Sequence, residues 1–196
     1  MNPYFITPNI IKETSNGTTY CPIQDELFTK RRCVEVVGEI TRESVYSLIL
    51  QLRCLHYADP GKEIAMYINS PGGSVTDGLA LYDVMEAVKC PIRTVCVGMA
   101  ASMGALLFAA GDEREMLPHA EIMIHDPLTT GISGSALSIE EAGRRLMGVR
   151  QTMAEIFSAH TGHTVEEVYE KTRQDSWFSA QEAVAWGIAD RIIHEI

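Results

Sequence analysis

No two of the five cysteines, Cys21, Cys33, Cys54, Cys90 and Cys96, form a CxxC pair. That spacing, and the odd number, suggest neither a zinc ribbon nor a disulfide framework, and fit a reducing compartment. Basic residues are also scarce. Sixteen Lys and Arg against 26 Asp and Glu leave a formal charge of −10, and the one basic run is Lys30-Arg31-Arg32. Nucleic acid and anionic membrane are held largely by clustered cations, so neither is expected as the main partner. There is no GxxxxGK followed by Ser or Thr, no GxGxxG, no HExxH and no GxSxG. The commonest sequence signatures of nucleotide binding, zinc peptidases and the α/β-hydrolase elbow are therefore missing. The opening residues MNPYFITPNIIKE lack a basic segment followed by an apolar stretch, so no secretory signal is read and a cytoplasmic protein is expected. With no repeat, low-complexity tract or linker, 196 residues of which 46% are hydrophobic predict one domain over 1–196.

Thr94 to Gly111 runs eighteen residues without a charge. Gly98, Gly104 and Gly111 and a low aliphatic content favour a buried strand, a turn and a buried helix over a membrane span. Around this segment the pattern alternates. CVEVVG (33–38), IAMYI (64–68), IRTVCV (92–97) and EIMI (121–124) read as strands. Helical spacing of Val45, Leu48, Ile49, Leu52 and Leu55, a helix over about 76–88 and another from about Ser102 separate them. Repeated βα units of this kind predict a mostly parallel sheet with helical crossovers. At the start, Asn16-Gly17 within TSNGTTY predicts a two-residue hairpin turn. The last third reads as helical, with capping boxes at Ser138/Glu141, Thr164/Glu167 and Ser179/Glu182 and a C-cap at Gly187.

Two segments carry candidate chemistry. In YINSPGGSVTDG (67–78) a strand ends in Ser-Pro-Gly-Gly, where backbone N–H groups can face developing negative charge. In GMAASMGALLFAAG (98–111) a lone hydroxyl, Ser102, stands at a helix start with the Met103 amide behind it. Each also has a plainer reading, a tight turn in the first case and close packing of small residues in the second. A serine nucleophile needs a base and a group to orient it. His125, at the end of EIMI, is the candidate base. His160 and His163 read as a helix end and a cap rather than metal ligands, and His56, His119 and His194 fall in loop or terminal contexts. For the acid, Asp175, Asp126 and Asp190 are not separated by this reasoning.

The segments YINSPGG, GMAASMGA, MIHDP and KTRQDSWFSAQEAVAWGIAD, in this order, closely resemble the proteolytic subunit of the Clp protease (ClpP) family, from about residue 7 to the C-terminus. The resemblance implies a ClpP/crotonase-like α/β fold with an N-terminal axial hairpin (1–24) and a long handle helix within 127–160. It further implies a serine endopeptidase in which Ser102 matches the nucleophile, His125 the base, Asp175 the acid, and Gly73 and Met103 the oxyanion donors. No cofactor is implied, since ATP is consumed by a separate AAA+ unfoldase, and the subunits stack as two heptameric rings acting on unfolded proteins. Two alternatives share the fold: a weakly active or structural subunit of a mixed ring, and a crotonase-type acyl-CoA enzyme, which the serine and histidine disfavour. Four departures from the family pattern stand out. Asp126 replaces the usual glutamine after the base, AGDEREMLPHA is two residues shorter than usual, Arg173-Gln174 replaces an acidic-Arg pair, and Ala65 and Ala87 replace two docking aromatics while Tyr67 keeps a third. These suggest a divergent paralogue that pairs with a second ring type.

Overall fold

The structure, a computed structural model, describes residues 8–15, 17–129 and 131–196. It begins with an antiparallel hairpin, β1 (Asn9–Thr14) and β2 (Gly17–Pro22), followed by a short helix α1 (Ile23–Glu26) that runs into a π-turn over Leu27–Arg31. Of the turn expected at Asn16-Gly17, Asn16 lies outside the described residues. Gly17, at φ 118°, already pairs with Thr14, so it is the first strand residue rather than part of the turn. Residues 1–7 of the expected 1–24 hairpin region also lie outside the described residues.

The body alternates as expected: β3 (Cys33–Val37), α2 (Arg42–Ala58), β4 (Ile64–Ser70), α3 (Val75–Ala87), β5 (Ile92–Ala101), α4 (Met103–Ala109). β3 buries Val34 and Val36 and turns Glu35 and Val37 outward, the period-two pattern of a sheet with one covered face. α2 buries Val45, Leu48, Leu52 and Leu55, one stripe at helical spacing, and starts at Thr41 in a capping box with Ser44. Its other end is closed by Arg32, a buried residue at φ 54°. The Arg32 guanidinium donates to the carbonyls of Leu55 and Asp59, in the last turn and at the C-cap of the helix, where a cation is favoured. Every residue of α4 is buried, as its wholly apolar sequence requires.

Two short strands, β6 (Glu113–Met116) and β7 (Glu121–Ile124), precede the 26-residue helix α5 (Ala136–Thr161). After α6 (Val165–Thr172) come β8 (Ser176–Ser179), α7 (Ala180–Trp186) and β9 (Arg191–Ile192). The strands are ordered β3-β4-β5-β6-β9, all parallel, while β7 pairs parallel with β5 and antiparallel with β8. Three strands, β6, β8 and β9, escape sequence reading because they are only two to four residues long, and β6 and β9 are also partly charged. The capping box expected at Ser138 is also corrected. Ser135 is the N-cap, its Oγ accepting from the Ser138 amide, so the helix begins three residues earlier, and Glu141 instead pairs with Arg144. The boxes at Thr164 and Ser179 form as expected, and Gly187 closes α7 at φ 81°. Only the second half of α5 is buried, through Met153, Ala154 and Phe157; Leu137, Ile139 and Met147 in the first half are exposed. No helix among the described residues is long and apolar enough to cross a membrane.

Candidate active site

Ser102 caps α4 with φ 55° and ψ −120°, a conformation seldom adopted by a residue with a Cβ. Strain of this kind costs about 1–3 kcal/mol and persists where the surroundings enforce it. Here they do. The Ser102 amide donates to Met123 O in β7 at 2.8 Å, and its carbonyl accepts from the amides of Ala105 and Leu106. The sharp turn directs the hydroxyl off the helix axis, and Oγ lies 2.8 Å from His125 Nε2. His125 follows the last residue of β7, so the 101/123 register between β5 and β7 sets its height beside Ser102.

The glycine pair lies against this serine. A Cβ on Gly72 would fall 2.7 Å from both Ala101 O and the Ser102 Cβ, and one on Gly104 only 3.1 Å from Ser70 O. The two turns approach through hydrogen atoms alone. Gly73, at φ 150°, bridges Ile40 in parallel fashion. That bridge uses the amides of Ile40 (to Gly72 O) and Ser74 (to Ile40 O), leaving the Gly73 amide out of it. The Met103 amide is the first of its helix and so lacks an intrahelical acceptor. Two N–H groups thus flank the Ser102 turn, and the Met103 side chain is buried in a notch made by Gly78, where a Cβ would meet Met103 Cγ at 2.2 Å.

The three candidate acids separate clearly. Asp175 Oδ1 lies 3.5 Å from His125 Nδ1, a loose pairing in which the aspartate side chain is 66% exposed and the imidazole 13%. Asp190 is taken by Arg114, whose backbone and guanidinium N–H groups bond to it. Burial alone would raise the Asp190 carboxyl, but the Arg114 bonds outweigh it and hold it below the ordinary carboxylate range. Asp126 accepts from Arg150 Nε and Thr172 Oγ1, each at 2.8 Å. Of the histidines set aside, His160 Nε2 meets the Tyr82 hydroxyl at 3.2 Å and His163 Nε2 meets Trp186 O at 2.9 Å, while His56 accepts from the Lys89 amide. No group of three or more metal-binding side chains is assembled among the described residues. Two of the thiols are held further from the thiolate: burial pushes Cys96 up to about 12, and the Cys33 thiol is raised by the same cause.

The remaining departures also find their places. AGDEREMLPHA contains β6, where Glu115 joins Arg93 to Arg191. Arg173 pairs with Glu170 on its own helix. Ala65 and Tyr67 line a groove of about 750 Å³ with Arg31, Glu35 and Arg93, whereas Ala87 is the exposed last residue of α3. None of Ser102, His125 and Asp175 lines that groove. A family model described as Clp protease matches residues 15–196.

Proposed function

Because the chain belongs to the Clp protease family, whose members are peptidases that generally form oligomeric rings with unfoldases, we propose that it is a serine endopeptidase with Ser102, His125 and Asp175 as its triad. The reading rests on one observation above all, the 2.8 Å contact of Ser102 Oγ with His125 Nε2 at a strained helix start. In the proposed reaction Oγ attacks the scissile carbonyl carbon while its proton passes to Nε2, and Asp175 at Nδ1 favours the imidazolium that forms. The amides of Gly73 and Met103 would hold the oxyanion, an interaction whose removal typically costs 10²–10³-fold. Collapse expels the amine with the proton from Nε2, leaving an acyl-Ser102 ester. A water, deprotonated by His125, then attacks the ester, and the acid product and free serine are restored. No cofactor enters any step. Stacked heptameric rings, delivery of unfolded chains by an AAA+ unfoldase that hydrolyses the ATP, and a cytoplasmic location complete the proposal.

The loose 3.5 Å contact and exposed Asp175 favour a second reading, in which this chain is a weakly active subunit whose acid is drawn in only by a partner ring. Reaction with a fluorophosphonate, read by mass spectrometry beside Ser102→Ala and with light scattering on the same sample, separates the two. The triad reading expects label on Ser102 alone within a large ring. No label, with a heptamer or smaller species, favours the partner-dependent reading. Undiminished peptidase activity in Ser102→Ala would overturn both.

A further inference from the structure

His125 is followed by an aspartate whose amide and both carboxylate oxygens are engaged by two other elements. The Asp126 amide donates to Thr172 O at 2.9 Å, its Oδ1 accepts from Thr172 Oγ1 and its Oδ2 from Arg150 Nε. Thr172 is buried at the end of α6, three residues before Asp175. Arg150 comes from α5, and its guanidinium lies 3.9 Å above the ring of Tyr169, also on α6. The turn carrying Asp175 is therefore held at both ends. On one side the β7–β8 ladder pairs Ile124 with Ser176, and on the other Asp126 grips Thr172. Between these ties Arg173, Gln174 and Asp175 are exposed, and Arg173 pairs with Glu170 on its own helix.

We propose that Asp126 is a positioning residue that fixes the turn bearing Asp175 beside His125, with Arg150 anchoring the clamp to α5. The proposal rests on the triad reading above. A misplacement of about 1 Å in an orienting group can cost 10²-fold in rate, and a 3.5 Å contact has little slack to lose. Neither Arg150 nor Thr172 is signalled by sequence pattern; both emerge only from the packing of α5 and α6 on β7.

The test compares full-length Asp126→Ala, Asp126→Asn and Thr172→Val, with the Asp126→Ala/Thr172→Val pair, in peptide turnover and in amide hydrogen exchange over 172–176. Asp126→Ala should lower kcat roughly 10- to 100-fold with KM within about twofold, and should speed exchange in the turn. Asp126→Asn keeps an acceptor for the Thr172 hydroxyl and should fall between it and the parent. The double variant should be no worse than Asp126→Ala, since both changes cut the same tie. Unchanged kcat in Asp126→Ala, or an additive double variant, would overturn the proposal. Failure of the triad reading looks different: the parent itself would show no Ser102-dependent turnover. Exchange then decides alone, and an unchanged rate over 172–176 rejects the clamp. Should Asp126→Ala not fold, Asp126→Asn and Thr172→Val carry the same comparison.

Discussion

Along β5, Arg93–Cys96 runs between β4 and β6 in continuous parallel register, whereas Met99–Ala101 has β7 at its side and loses register with β4 between Ile68 and Ser70. The first stretch is satisfied by its neighbours. Arg93 bonds Glu63 and the buried Glu115, and Glu115 also accepts from Arg191 of β9. The second stretch is built from exceptions: Gly72 and Gly73 in one segment, and Gly98 and Ser102 in another, all hold positive φ. Regular pairing consumes backbone amides; a sheet that divides leaves some free and brings two turns close enough to share a reacting centre. The difference teaches that the candidate site is a local sacrifice of order, supported by a neighbouring half that makes none.

The widest separation of the two halves is expected from Gly73→Ala. Its Cβ would meet Ile40 O at 2.3 Å in a backbone conformation alanine rarely adopts. Peptidase kcat/KM should fall about 10²–10³-fold as one oxyanion donor moves, with circular dichroism showing the fold retained; near-normal activity would remove Gly73 from the site. Next is Glu115→Gln, which takes the charge from between Arg93 and Arg191. Those partners are partly exposed, so the loss should be about 2 kcal/mol in urea unfolding with kcat of the folded fraction unaltered. A parallel fall in kcat would show that the halves are not independent.

The smallest effect concerns His160, whose carbonyl accepts from Arg114 of β6. Burial lowers this imidazole below its ordinary 6.5. As pH falls from about 6.5 the unfolded chain takes up its proton before the folded one, so stability declines until the folded value is passed and then levels. The difference in unfolding free energy between the parent and His160→Gln should show that slope, with active-site labelling unaffected. A flat difference across that range would place His160 outside the supporting half.

Much of this comparison was visible in the sequence. Alternating strands and helices, the Gly-Gly turn, the lone hydroxyl in an apolar run and the histidine after EIMI each sit where pattern put them. Residues whose role depends on distant neighbours were not visible. Asp175, Asp126 and Asp190 are alike as letters; Arg114 and Arg150, remote in the chain, decide which of them stays free. Ser138 offered a capping box with Glu141, yet Ser135 won the cap because the helix continues one turn further back. The charged Glu113–Met116 became a strand through pairing with β5 and β9, a tertiary choice that four residues of propensity cannot announce.

The left-handed backbone at Ser102 also limits what descent or design could place there. A hydroxyl carried on a branched Cβ is disfavoured at φ 55°, so threonine is poorly accommodated although its chemistry resembles serine's. Cysteine has serine's unbranched skeleton and meets no such bar. Among hydroxyl and thiol nucleophiles, then, this turn admits two of the three, and the choice is made by a torsion angle rather than by reactivity.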